Sequence, residues 1–137
     1  MTEPVGGAGR LYLKLDDVLA LYAEIFSCTQ REARNQLRDR AGLESALARP
    51  EMHAHYQDAD LAMQAAVLAH DIAEGQYFVD GNKRTALAAC LTFLRVNGHD
   101  VNASQQERAD WILELSRGRA VEEKLAPRLR SALDPPL

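Results

Sequence analysis

Five consecutive residues, Asp80-Gly81-Asn82-Lys83-Arg84, place a carboxylate, a glycine, an amide and two cations at the start of the apolar run TALAACLTFL. If that run is a helix, Lys83 and Arg84 stand at its positive end. There each cation costs about 0.3–1 kcal/mol against the helix dipole and the unpaired N–H groups of the first turn. Both side chains could extend into water, or Asp80 and distant acids could neutralise them. A polyanion accounts for more of the pattern. Gly81 lets a backbone approach closely, Asn82 adds side-chain donors, and the loop-to-helix junction aims N–H groups at one point. The chemistry this suits is binding of a phosphate-bearing ligand. Asp80 alone would repel such a ligand, but one carboxylate beside phosphates is what Mg²⁺ takes from a protein. The spacing is not that of a Walker A loop, G-x-x-x-x-G-K-S/T.

The elements around this loop follow from apolar spacing. Leu61, Ala65, Leu68 and Ile72 recur at helical intervals until Gly75 breaks the pattern, predicting a helix that begins near Asp58 and delivers the chain to the loop. From Asn82 to about Asn97 two stripes, Leu87-Leu91-Leu94 and Ala86-Cys90-Phe93, predict a helix apolar around much of its circumference, the central buried one. Upstream, Leu11–Leu13 reads as a short extended piece. Val18, Leu19, Leu21, Tyr22, Ile25 and Phe26 form a helix capped by Asp16 or Asp17. The polar run SCTQREARNQLRDRAG is a solvated helix or a loop, GLESALARPE is a short helix stopped near Pro50, and EMHAHYQD is a polar connection. Downstream, NGHDV ends the central helix, Ser104 caps a helix through Trp111 and Leu115, and a last helix runs from about Gly118 to Leu133. The expectation is an all-α domain over residues 11–133, with 1–10 a flexible N-terminus and 134–137 a tail.

Composition narrows the function. The chain of 137 residues, 47% hydrophobic, suits one domain with one core. A net charge of −4 argues against nucleic acid or an anionic membrane as partner unless a local patch binds it. Only Cys28 and Cys90 are present, without C-x-x-C spacing, and both read as free thiols of a reducing compartment. With no apolar span of about 20 residues and no apolar leader in MTEPVGGAGR, a cytoplasmic protein is expected.

The stretch F-V-D-G-N-K-R-T-A, Phe78 to Ala86, resembles the signature of the Fic/Doc family in its death-on-curing toxin branch, H-x-F-x-D-A/G-N-K-R-T. RDRAGLESALARP (Arg38 to Pro50), the helix leading to Gly75, and FLRVNG (Phe93 to Gly98) also look like that branch, so the resemblance covers most of residues 11 to about 100. It implies a Fic fold, a helical bundle around the helix after the motif, and a Mg²⁺-nucleotide site that modifies a hydroxyl of a target protein. By resemblance Asp80 is the metal ligand, Gly81, Asn82, Lys83 and Arg84 cradle the nucleotide phosphates, Arg84 also serves the transfer, and Phe78 anchors the loop in the core. Where nucleotidyl-transferring members carry a second arginine this chain has Leu87. That agrees with the Doc branch, for which the resemblance implies a kinase-type transfer from ATP to a translation elongation factor. It also implies a toxin neutralised by a separate antitoxin protein; the self-inhibitory pattern S/T-x-x-x-E-G/N is absent from the sequence.

One departure bears on activity. The motif's first residue, a histidine that accepts the proton of the attacking hydroxyl, corresponds here to Gln76. An amide does not titrate near neutral pH and cannot be a general base, and losing such a base costs on the order of 10²–10⁴ in rate. Gln76 marks a natural inactive or repurposed member, an engineered inactivation, or a chemistry that needs no base, since loose phosphoryl transfer relies mainly on positioning. Two readings result: a Doc-like toxin inactive or weakened at Gln76, or a degenerate Fic domain that binds a nucleotide or protein without transfer. An unrelated helical interaction domain is the third. Elsewhere, His70 reads as a packed helix residue and His99 as a solvated cap residue. His53 and His55 would need an extended backbone to share a metal, and QREARNQLRDR is a solvated face without the aromatics of a nucleic-acid site.

Overall fold

The structure, a computed structural model, describes residues 9–115 and 121–137. Helix α1 (Leu15–Ile25) buries Val18, Leu19, Tyr22 and Ala23. Its cap differs from expectation: Lys14 is the N-cap residue, and Asp17 acts from the third helical position by accepting the Lys14 N–H at 2.8 Å. Leu11–Leu13 forms no strand; Asn97 holds it through both backbone groups of Leu11. The polar run resolves into α2 (Gln30–Gln36), opened by a reciprocal Thr29–Glu32 capping box and burying Ala33.

Helix α3 (Arg40–Gln57) overturns two expectations, because it passes through Pro50 and absorbs the stretch read as a polar connection. Leu43, Ala46, Leu47 and Pro50 are buried along one face, and that face packs on the next helix. Tertiary packing outweighs the local cost of the proline ring. His53 and His55, two residues apart on a helix, point about 200° away from each other and share no site.

Helix α4 (Leu61–Gly75) starts after Asp60 rather than Asp58, which instead ends α3 in a left-handed conformation. It carries a leucine-rich stripe (Leu61, Leu68, Ile72) and an alanine stripe (Ala62, Ala66, Ala69, Ala73), all buried. The small side chains allow neighbours to approach closely. Helix α5 (Asn82–Val96) lies against α4, with Ala86, Leu87, Ala89, Cys90, Phe93 and Leu94 buried. The apolar α5 of the sequence is thus one of a central pair, α4 meeting α3, α5 and α7 while α5 also meets α1 and α6. Cys28 and Cys90 are free thiols, and burial pushes the Cys90 thiol up to about 12.

Strand β1 (Asp100–Val101) follows, then α6 (Gln105–Glu114), whose N-cap Ser104 pairs with Glu107 in the expected place. Helix α7 (Val121–Ala132) buries Leu125 and Leu129; the expected start near Gly118 lies outside the described residues. The chain closes with β2 (Leu133–Asp134), antiparallel to β1, a pairing not expected from sequence. The His99 ring is likewise not merely solvated, since its Nδ1 meets the Pro135 carbonyl.

Asp60 joins the start of α4 to α7. It accepts the Met63 N–H at 2.9 Å and two hydrogen bonds from Arg130, at 2.7 and 3.1 Å. The Arg130 hydrogen bond holds its carboxyl below the usual range. A depressed carboxylate stabilises the fold above its unfolded-state pKa, and that contribution is lost as pH falls through the lower folded value. Asp60→Ala is expected to cost about 1–2 kcal/mol at neutral pH from the lost cap and a half-exposed ion pair. In chemical denaturation series the gap between the two proteins should narrow below about pH 4. A gap independent of pH would refute the ionised cap.

Candidate functional site

The loop between α4 and α5 is held from three sides. Phe78 is fully buried and stacks on Tyr22, ring centroids 4.4 Å apart, while Tyr22 packs on Phe26 at 4.5 Å. The Tyr22 hydroxyl donates to the Asp80 carbonyl at 3.2 Å, and burial, then the charge of Asp80, raises its pKa, so it stays a donor. Asn82, also buried, turns back on the loop: its Oδ1 accepts the Phe78 N–H and its Nδ2 donates to the Phe78 carbonyl, both at 3.0 Å. The expectation that the Asn82 side chain adds donors to an anion site is thereby corrected. Its amide shapes the loop, while its backbone N–H keeps no partner among the described residues. From the third side the connection between α2 and α3 runs alongside. Val79 N–H donates to Gln36 O, Arg38 and Asp39 N–H to Tyr77 O, and Leu37 bridges Phe78.

Gly81 then turns the chain into α5 with φ +81°, a left-handed conformation that favours glycine. A Cβ there would lie 2.3 Å from Phe26 Cζ, so the aromatic floor demands glycine as well. The Gly81 carbonyl is taken by Thr85, through N–H at 3.0 Å and Oγ1 at 2.8 Å. The N–H groups of Asn82, Lys83 and Arg84 keep no partner among the described residues, as the first turn of a helix without a side-chain cap requires.

These groups line a cleft of about 380 Å³ formed by Gln76, Val79, Asp80, Gly81, Asn82, Lys83, Arg84 and Ile112. Lys83 and Arg84 are exposed, and neither has an ion pair among the described residues. The Arg84 guanidinium carbon lies 5.0 Å from the centre of the Phe26 ring, which steers its planar head without neutralising it. One oxygen of Asp80 accepts the Gly81 N–H at 2.8 Å; the other has no partner among the described residues. Gln76 is exposed at the end of α4 in a left-handed conformation, φ 55°, which costs an L-residue roughly 1–2 kcal/mol. A second cleft, about 360 Å³, is lined mostly by α6 and α7, but its Arg128 is already paired with Glu114. Unpaired cations and unpaired N–H groups suit the α5 cleft to an anion, which the open Asp80 oxygen would oppose unless a cation lay between them.

A sequence model described as the Fic/DOC family matches residues 12–94, more than half of the chain. The chain belongs to the Fic/DOC family. It is also similar to a protein named Toxin Doc from Mycolicibacterium smegmatis (strain ATCC 700084 / mc(2)155), 39% identical over 89 residues. That alignment takes in 64% of this chain and 65% of the relative, so the chain spans just under two thirds of the relative's length. The match bears out the death-on-curing resemblance, and the helices bear out the all-α Fic fold. Gln76, Asp80, Gly81, Asn82, Lys83 and Arg84 of this Fic/DOC chain, the candidates for its site, all reach the one cleft. His70, half-buried on α4, does not line it.

Sequence reasoning missed the supports. Tyr22 on α1 and Phe26 at its C-cap stand four apart and read as a core stripe, with nothing local to say that they floor the motif loop. Ile112 comes to the cleft from α6. Tyr77 lies between two glycines, where a Cβ on Gly75 would be 2.0 Å from its Cζ and one on Gly42 2.6 Å from its Cε1. The one available signal was the pair of glycines at helix ends, whose use depends on a ring that only the fold brings in.

Proposed function

We propose that this chain is a Doc-like toxin of a toxin–antitoxin system, built to transfer a phosphoryl or nucleotidyl group from a Mg²⁺-bound nucleotide, ATP in the first instance, to a hydroxyl of a target protein. The target class is a translation elongation factor and the compartment the cytoplasm. Among the described residues no helix is long and apolar enough to cross a membrane. A cognate antitoxin is the expected regulatory partner, in keeping with the name of the relative. The observation that carries the reading is the cleft at the start of α5, where Lys83, Arg84 and the free N–H groups of the first turn meet the open oxygen of Asp80.

The donor set fits a nucleotide polyphosphate. Backbone N–H groups at Asn82, Lys83 and Arg84 would bind phosphate oxygens, and the two side chains would neutralise charge that builds on the transferred group. Asp80 would hold Mg²⁺, which when bound offsets phosphate charge. Gln76 would hold the attacking hydroxyl by hydrogen bonding but cannot take its proton. This non-titrating amide favours the second reading, a degenerate Fic domain that binds nucleotide or protein without transfer.

Both readings require nucleotide binding, and thermal melting tests it. Mg²⁺-ATP is expected to raise the melting temperature by mass action, about 2.7 kcal/mol of added stability at a ligand concentration one hundred times Kd. Arg84→Ala should abolish that rise and leave the unliganded melt nearly unchanged, because Arg84 is exposed. Equal rises in the two proteins would remove Arg84 from the site.

A further inference from the structure

Gln76, left-handed at φ 55°, is bonded through its backbone by a distant part of the chain. Its carbonyl accepts a hydrogen bond from Arg38 Nε at 3.0 Å. The next carbonyl, that of Tyr77, accepts the backbone N–H of Arg38 at 2.8 Å and that of Asp39 at 3.1 Å. Arg38 therefore grips two successive carbonyls, one with its side chain and one with its backbone. The Tyr77 ring, set against Gly42 and Gly75, leaves little room for the 76–77 peptide to turn. The backbone bonds join the 37–39 segment to residue 77, and the side-chain bond is the one that reaches residue 76 itself. Arg38 is exposed, forms no ion pair among the described residues and does not line the cleft. Its charge is not what the fold uses; its Nε donor is.

We propose that Arg38 is a positioning residue for position 76, fixing that residue's backbone so that its side chain projects into the cleft beside Asp80, Lys83 and Arg84. What the side chain does there rests on the transferase reading; the clamp does not. An attacking hydroxyl must be held within a fraction of an ångström of its approach, and misplacement by about 1 Å costs up to 10²-fold in rate. A residue that ends a helix in a conformation it does not favour by itself gains from such an external hold.

Two substitutions separate the donor from the charge. In Arg38→Gln an amide nitrogen stands the same number of bonds from Cα as Arg Nε, without the cation. Arg38→Met has similar length and no donor. The first measurement is backbone NMR of residue 76 in the full chain. Arg38→Met is expected to move its Cα shift and three-bond HN–Hα coupling away from left-handed values, and Arg38→Gln to retain them. The second uses chains carrying Gln76→His, where Arg38→Met should lower kcat about tenfold or more with the KM for ATP unchanged, and Arg38→Gln should restore it. Left-handed values that persist in Arg38→Met, or equal damage from the two substitutions, would overturn the proposal. If Gln76→His transfers nothing, the transferase reading fails, and the NMR comparison decides the role of Arg38 without it.

Discussion

Gln76→His is expected to transfer a phosphoryl or nucleotidyl group from Mg²⁺-ATP to a translation factor at least about 10²-fold faster than the unaltered chain, and to arrest growth when expressed. The backbone at position 76 already suits the change, since histidine is among the residues found more often than most at positive φ. The side chain there is exposed and lines the same cleft as Asp80, Lys83 and Arg84, so no neighbour must move to admit an imidazole. What the substitution adds is a group that can accept a proton near neutral pH, which the amide cannot. Labelled ATP in a cell lysate, followed by identification of the labelled protein, measures the gain. A Gln76→His chain that still melts higher with Mg²⁺-ATP but labels nothing would establish the binding module and end the transferase reading.

The second large effect concerns stability. Phe78→Ala is expected to cost about 3–5 kcal/mol, because a fully buried aromatic leaves a cavity that its stacking partner Tyr22 cannot fill. Against a typical total of about 5–15 kcal/mol that is a large fraction, a fall of roughly 10–20 °C in melting temperature. The site should fail with it. Phe78 supplies both backbone groups that orient Asn82, and the Tyr22 ring beneath it carries the hydroxyl bonded to Asp80. Val79→Ala is the control, next in sequence but 59% exposed, with an expected change within about 0.5 kcal/mol. Denaturant unfolding of the two proteins makes the comparison. A loss from Phe78→Ala no greater than that from Val79→Ala would show that the loop is anchored elsewhere.

What could be read from the sequence alone has causes a few residues long. The stripe Leu61-Ala65-Leu68-Ile72, the Ser104 cap and the cations at the head of α5 each depend on helical spacing or on a helix end, and each lies where local spacing puts it. The family motif belongs to the same class, because its residues are neighbours in the chain as well as in the cleft. Tertiary structure decided the rest. Pro50 reads locally as a stop, yet α3 continues because burial of Leu43, Ala46 and Leu47 against α4 outweighs one lost hydrogen bond. Asn82 reads as a ligand donor, yet its amide serves Phe78, because the buried loop carries backbone groups that water cannot reach. The pairing of β1 with β2 and the reach of Arg38 to the Gln76 carbonyl join residues more than thirty positions apart, where no periodicity connects them. Charge and spacing along the chain determined which side chains a polyanion would meet. Contacts between distant segments determined which of those side chains are free to meet it.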